Sequence, residues 1–84
     1  MPKTLGDNRH ESLIAFLVQK RREAGLTQVE LAALMKVYQS FIARVESGER
    51  RVDVVEFMKL GEVLGFDPSA AMRILMDIEN EIGE

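Results

Sequence analysis

The sequence marks a helix start twice with the same four-residue pattern, T-x-x-E at Thr27–Glu30 and D-x-x-E at Asp53–Glu56. In such a capping box each of the two side chains accepts a hydrogen bond from a backbone N–H group that no intrahelical carbonyl can reach. Asp67 followed by Pro68 indicates a third start, because proline is tolerated in the first helical position. The sequence contains no Asn-Gly or Asp-Gly hairpin dipeptide and no strict polar–apolar alternation. These signals predict an all-α fold.

Five helices follow from these starts, from the helical recurrence of apolar residues and from the glycines that end the segments. The predicted helices cover about 9–24, 27–35, 39–46, 53–64 and 67–82. The apolar residues that we expect in the core are Leu13, Leu17, Leu31, Leu34, Ile42, Val45, Phe57, Leu60 and Leu64. We divide the chain into a flexible N-terminal arm at 1–10, a helical core at 11–66 and, in the same domain, a C-terminal helix at 67–84.

Composition excludes most catalytic and metal-binding chemistry. The chain has no Cys and one His, which excludes disulfides, thiolate zinc sites, Cys nucleophiles and His-rich metal centres. No apolar run approaches the roughly 18 residues of a membrane span, and the six glycines are isolated rather than grouped in a phosphate-binding loop. We therefore expect a cytoplasmic protein that is not an enzyme and that needs no cofactor, metal, membrane or small-molecule ligand.

Charge is distributed unevenly along the chain. The net charge of −3 by itself argues against nucleic-acid binding. However, residues 1–51 hold nine Lys or Arg and six Asp or Glu, a net of +3, whereas residues 52–84 hold two and eight, a net of −6. The asymmetry indicates a basic surface on the N-terminal half, with chance segregation as the alternative.

The most informative segment is residues 25–48, where two short predicted helices are separated by about four residues. So short a connection forces a large angle between the helices, and the second helix can then project from the domain. An exposed short helix fits the major groove of B-DNA, which is about 12 Å wide.

Residues in and around this segment resemble those of a known family. The matching residues are Arg21, Gly25-Leu26-Thr27-Gln28, Glu30-Leu31-Ala32, Ser40, Ile42, Glu46, Gly48, Arg50 and Leu64-Gly65. Over about residues 12–70 the chain resembles the phage-repressor and Cro-like (XRE-type) helix-turn-helix transcriptional regulators. The resemblance implies a five-helix, repressor-like domain with the helix-turn-helix at helices 2 and 3. It also implies a sequence-specific regulator that binds double-stranded DNA as a homodimer on a palindromic operator, and autoregulation is a further expectation.

Three positions depart from the family pattern, and one of them is Lys20, where the family often has Leu. Lys36 occupies the turn between helices 2 and 3, where the family usually has Gly, so either this Lys adopts a left-handed conformation or the turn differs. Tyr38 replaces the Ser, Thr or Pro that commonly starts the recognition helix, which predicts a weak N-cap.

Three residues of helix 3 are candidates for reading bases. Gln39 can bond adenine N6 and N7, Ser40 can bond any base, and Arg44 suits guanine O6 and N7. The resemblance supports all three positions, whereas without it they are ordinary solvated helix residues. The candidate phosphate contacts are Gln28, Lys20, Arg22, Lys36, Arg50 and Arg51.

The resemblance also implies that Arg21 and Glu46 form a structural ion pair between helices 1 and 3. On helix 5, an apolar stripe predicts a dimer interface made of Ala71, Leu75, Ile78 and Ile82. The alternative is that helix 5 folds wholly onto its own core.

A second class of function stays open at this point. The chain could be a protein-interaction module, such as an antitoxin-like helical partner of a toxin. Salt dependence distinguishes the two, because binding through several phosphates weakens steeply with ionic strength.

Overall fold

The computed structural model describes residues 7–78, and within that range the chain forms five α helices and no strand. The helices are α1 (Asp7–Glu23), α2 (Gln28–Met35), α3 (Gln39–Glu46), α4 (Val54–Leu64) and α5 (Pro68–Met76). Helix α2 packs against α3 and α4, while α1 packs against α3 and α5. The predicted all-α class is confirmed. None of the helices between residues 7 and 78 is long and apolar enough to cross a bilayer.

Both predicted capping boxes are present. The Thr27 hydroxyl accepts a hydrogen bond from the Glu30 N–H (3.1 Å), and the Glu30 carboxylate accepts one from the Thr27 N–H (2.9 Å). Asp53 and Glu56 repeat this arrangement at the start of α4, with distances of 2.7 and 2.9 Å. Because each box satisfies backbone donors locally, the starts of α2 and α4 lie where the sequence places them.

The turn between α2 and α3 contains a left-handed lysine. Lys36 has φ 60° and ψ 44°, and it is the one non-glycine residue with positive φ in the described part of the chain. Its N–H donates to the carbonyls of Ala32 and Ala33, so it closes α2 in the way that glycine usually does. Of the two predicted alternatives, the structure therefore has the strained lysine in an otherwise ordinary turn.

One predicted core residue lies outside the core. Leu34 is 53% exposed, so its assignment to the core is wrong. Leu31, Ala32 and Met35 form the buried face of α2, and at 3.6 residues per turn Leu34 lies about 100° from the centre of that face. Leu13 is partly buried and packs against the core from α1. The buried residues are Leu17, Leu31, Ala32, Met35, Ile42, Val45, Phe57, Leu60, Leu64, Ala71 and Leu75.

The apolar stripe of α5 belongs to this core, which corrects the predicted dimer interface. Ala71 and Leu75 are 3% and 8% exposed, and Ile78 packs against the core as well. The stripe faces inward because this side of α5 packs against α1 and α4. Ala71 and Leu75 therefore have almost no surface left for a second protomer, whereas Ile78 is only partly buried. Ile82, the fourth residue of the stripe, lies outside the described residues.

Two predicted boundaries also change. Helix α5 ends at Met76, with Asp77 as its C-cap, rather than near residue 82. Helix α1 begins at Asp7, so residues 7–10 of the predicted arm lie in a helix. The recurrence of apolar residues locates a helix end poorly where no capping residue marks it in the sequence.

Candidate nucleic-acid interface

Helix α3 presents a polar face to solvent. Ile42 and Val45 are buried, and the partly buried Phe41 packs against the core. This anchoring leaves Gln39, Ser40 and Arg44 exposed on the remaining face of the helix. Arg44 makes a loose ion pair with Glu49, with its Nε 3.8 Å from Oε1. All three candidate base-reading side chains are thus accessible to a ligand, as predicted.

The first turn of α3 is uncapped. Tyr38 occupies the N-cap position with extended backbone and makes no side-chain hydrogen bond to the helix. The N–H groups of a first helical turn have no intrahelical acceptor, and they form the positive end of the helix dipole. This end of α3 therefore keeps donors that suit an anion or a base edge.

A hydrogen bond joins the first residues of the two helices. The amide nitrogen of Gln39 donates to the amide oxygen of Gln28 at 2.8 Å. Gln28 in turn donates from its own amide nitrogen to Glu46 Oε1, also at 2.8 Å. Gln39 keeps its amide oxygen and its second amide hydrogen outside this pair. The two groups that a bidentate contact to adenine requires are therefore available and held in place.

A largely buried ion pair between Arg21 and Glu46 supports this arrangement. Arg21 Nε and Nη2 lie 2.7 and 3.0 Å from the two carboxylate oxygens of Glu46, and Nη1 donates to the Leu26 carbonyl at 2.9 Å. The side chains are only 12% and 10% exposed. Burial by itself raises the pKa of Glu46, but the hydrogen bonds from Arg21 and Gln28 outweigh it and hold that pKa below its ordinary value. Glu46 is therefore a stable anion that ties α1, α2 and α3 together.

The candidate phosphate contacts occupy three places around α3. Lys20 and Arg22 lie in the last turn of α1, where the Lys20 ammonium is 3.4 Å from Glu23. Lys36 lies in the turn before α3, and Arg51 follows α3; both are exposed. Arg22 is exposed as well, whereas Lys20 is half-exposed and its ammonium lies 5.5 Å from the centroid of the Phe16 ring.

Arg50 differs from the other candidates. Its guanidinium makes two hydrogen bonds to Glu56, at 3.0 and 3.1 Å, and lies 4.4 Å from the centroid of the Phe41 ring. Because its charge is already paired, Arg50 fastens the loop after α3 onto the start of α4. A contact to DNA phosphate is then a second role at most.

Sequence reasoning missed three of these contacts: Gln28 with Gln39, Gln28 with Glu46, and Arg50 with Glu56. Nothing in their spacing marks the contacts, because each joins residues across a turn or between helices. The sequence marks Glu56 only as the fourth residue of its capping box, and not as a partner of Arg50. The described residues contain no group of His, Asp and Glu side chains that could hold a metal ion.

Comparisons with known proteins agree with this geometry. A family model described as helix-turn-helix (HTH_3) matches residues 17–70, more than half of the chain. The chain is 36% identical over 52 residues to a Bacillus subtilis (strain 168) protein named uncharacterized HTH-type transcriptional regulator YqaF; the match covers 62% of this chain and 68% of that protein. It is 41% identical, with a TM-score of 0.78, to the solved structure of an XRE-family like protein from Pseudomonas syringae pv. tomato str. DC3000. That match covers 83% of this chain and 85% of the solved one. The segment matched by the family model contains every candidate base and phosphate contact.

Proposed function

The chain belongs to the helix-turn-helix family of XRE-type transcriptional regulators, and on that premise we propose that α3 reads a specific DNA sequence through Gln39, Ser40 and Arg44. Members of this family are DNA-binding regulators and not enzymes, so DNA binding itself follows from the membership. What is proposed is the assignment of roles to individual residues and the form of the complex.

The pairing of Gln39 with Gln28 is the observation that carries the assignment. With one amide hydrogen bonded to Gln28 at 2.8 Å, Gln39 can accept from adenine N6 and donate its other hydrogen to N7. This hydrogen bond orients the side chain before DNA arrives, which lowers the entropy cost of the contact. Gln28 thus acts first as a positioning residue and second, through its backbone N–H at the start of α2, as a phosphate contact.

The cations around α3 supply the non-specific part of the affinity. Lys20 and Arg22 at the end of α1, Lys36 before α3 and Arg51 after it would each neutralise a phosphate. Every such contact releases counterions, so the logarithm of the binding constant falls linearly with the logarithm of the salt concentration. The net charge of −3 does not oppose this, because the basic residues are concentrated in the half that carries α1 to α3.

The regulator acts as a homodimer on a palindromic operator, in the cytoplasm, and controls its own gene. A single short helix reads only one half-site, and a two-fold symmetric pair of helices reads two half-sites about one helical turn apart. With the inner stripe of α5 used by its own core, we assign the dimer contact to the exposed flank of α5 that adjoins this stripe, where Ile74 is 60% exposed.

Footprinting on the DNA upstream of the protein's own gene tests the operator and the autoregulation together. A protected palindrome with two half-sites one turn apart is the expected result. Binding that does not weaken between about 50 and 200 mM salt would point instead to a protein-interaction module.

The Gln39→Ala variant tests the base-reading role. We expect it to lose ~1–3 kcal/mol of binding free energy on the operator and to stop discriminating at one base pair. Gln19→Ala, the same substitution on the outer face of α1, is the control and should bind normally. An equal loss by Gln39→Ala on random DNA would show that Gln39 contacts phosphate rather than a base.

A further inference from the structure

Tyr38 is the most exposed of the large apolar and aromatic side chains between residues 7 and 78, at 84%. One exposed residue of this kind is ordinary on a protein surface, but the place of this one in the fold is not. Tyr38 occupies the N-cap of α3 and directly precedes Gln39. The chain's single tyrosine therefore adjoins the first residue of the helix to which we assign base reading.

The Tyr38 side chain gives α3 no support. It makes no capping hydrogen bond to the helix. The ring pairs and cation–π contacts between residues 7 and 78 involve phenylalanine rings only. A Ser, Thr, Asn or Asp at an N-cap typically raises the folding equilibrium constant about fivefold over a residue that cannot cap. A tyrosine here lowers stability and leaves its ring in solvent, which points to a contact outside the protomer.

We propose that the Tyr38 ring packs against the C5-methyl group of a thymine in the operator, at the base pair next to the one read by Gln39. The proposal rests on the proposed function, in which α3 reads DNA. Thymine presents its methyl group in the major groove, where apolar side chains recognise it. Consecutive Cα atoms are about 3.8 Å apart, and successive base pairs are about 3.4 Å apart along the duplex. Neighbouring residues can therefore reach neighbouring base pairs.

The residues on either side of Tyr38 favour a methyl group over a phosphate as its target. Lys36, two residues earlier, is exposed and brings a positive charge for the phosphates. Gln39 is held by its 2.8 Å hydrogen bond to Gln28 and brings hydrogen-bonding groups for a base. Tyr38 brings a large apolar ring, which gains free energy when it leaves water. It would thereby add a preference for thymine beside the adenine read by Gln39.

Replacement of thymine by uracil tests the contact, because it removes only the C5-methyl group. In the operator found by footprinting, one such replacement per half-site should weaken binding of the unmodified protein about fourfold, through the loss of one buried methyl group. The sensitive thymine should lie next to the base pair at which Gln39→Ala stops discriminating, and the other thymines serve as matched controls. Tyr38→Ser should bind the two DNAs equally. An operator with no sensitive thymine at this position, or a sensitivity that Tyr38→Ser retains, would overturn the proposal.

Two substitutions separate the ring from the hydroxyl group and from the fold. Tyr38→Ser supplies a capping residue, so urea titration should show a folding equilibrium constant about fivefold higher. The same variant should bind the operator about tenfold more weakly, because the apolar area of the ring is lost. Tyr38→Phe keeps the ring, and it should bind like the unmodified protein and remain sensitive to uracil. A Phe variant as weak as the Ser variant would assign the contact to the hydroxyl group, and a Ser variant that binds normally would show no contact; either result contradicts the proposal.

The Gln39→Ala variant distinguishes failure of this proposal from failure of the proposed function. If Gln39→Ala loses discrimination while Tyr38→Ser and uracil change nothing, only the role of Tyr38 is wrong. If Gln39→Ala also binds the operator normally, α3 does not read the sequence and both are wrong.

Discussion

At the scale of single residues, Lys36 shows how a position can be unfavourable for folding and still suit the molecule's function. A side chain with a Cβ atom in the left-handed region costs about 1 kcal/mol relative to glycine. Lys36 adopts that conformation in the turn directly before α3. Its side chain is exposed in this turn, next to the first residues of α3 along the chain.

Lys36→Gly should therefore separate stability from binding. We expect the free energy of unfolding, measured by urea titration, to rise by ~1 kcal/mol because the strain is removed. The same variant should bind DNA more weakly, and the slope of its salt dependence should fall by about one. Unchanged stability would mean that the turn has relaxed around the lysine, and an unchanged slope would remove Lys36 from the phosphate contacts.

Glu46 predicts how stability depends on pH. Its pKa in the folded protein lies below its ordinary value of about 4.3, so its ion pair contributes fully at neutral pH and is lost as the pH falls through the lower, folded value. Glu46→Gln should cost about 3 kcal/mol at pH 7, because Arg21 then loses a buried partner.

The difference in unfolding free energy between the unmodified protein and Glu46→Gln should shrink below about pH 4, as the native carboxylate takes up its proton. Urea titrations from pH 7 to pH 3 measure it. Glu49→Gln, at an exposed carboxylate, serves as the control and should change little. A difference that stays constant with pH would show that the charge of Glu46 is not what holds the helices together.

At the scale of secondary-structure elements, the junction of α4 and α5 depends on a missing side chain. A Cβ atom on Gly61 would lie 2.6 Å from Pro68 Cγ and 2.8 Å from the carbonyl oxygen of Phe66. Both neighbours are rigid, so the helices could not stay where they are. Gly61 is buried in the middle of α4, where alanine would otherwise be the better helix former.

Gly61→Ala should thus destabilise the protein by ~1–3 kcal/mol, the typical cost of overpacking. Gly65→Ala is the matched comparison: it has positive φ but no atom within 4 Å of the added carbon, so only backbone strain of ~1 kcal/mol is expected. The two unfolding midpoints in urea provide the measurement. A Gly61→Ala protein as stable as the unmodified one would contradict the close approach of the helices.

Elements whose boundaries rest on local chemistry were predictable from the sequence. The capping boxes at Thr27 and Asp53 fix the starts of α2 and α4 through contacts within four residues. By contrast, the direction of the α5 stripe depends on how much core the other helices leave uncovered, which no local pattern contains. The same holds for the site: α3 and its exposed residues followed from periodicity and resemblance, but the contact of Gln28 with Gln39 requires the angle between two helices.

At the scale of the whole molecule, the inward-facing stripe of α5 changes which surface is available for a dimer interface. Leu75→Asp should now unfold the protein, because that side chain is 8% exposed within one protomer. Ile74→Asp, on the neighbouring and exposed position, should leave the fold intact and produce a monomer with much weaker operator binding. Sedimentation of both variants, with circular dichroism as the control for folding, measures these outcomes.

A monomeric unmodified protein at tens of micromolar, or a dimeric Ile74→Asp variant, would contradict the assignment of the interface. If the unmodified protein is monomeric, two protomers would associate only on DNA. In the second case the exposed apolar residues of α4, Val55 and Met58 among them, become the surface to examine.

The row of hydrogen bonds from Arg21 through Glu46 and Gln28 to Gln39 also bears on how such a regulator evolves. With residue 39 reading a base as proposed, a mutation there leaves the Gln28 amide oxygen without its donor, and a mutation at 28 releases Gln39 from its orientation. Each single step therefore weakens recognition of the old operator before a new one is read well. A lineage that moves to a new target has to change the two codons as a pair, so drift in its binding site is slow between such paired changes.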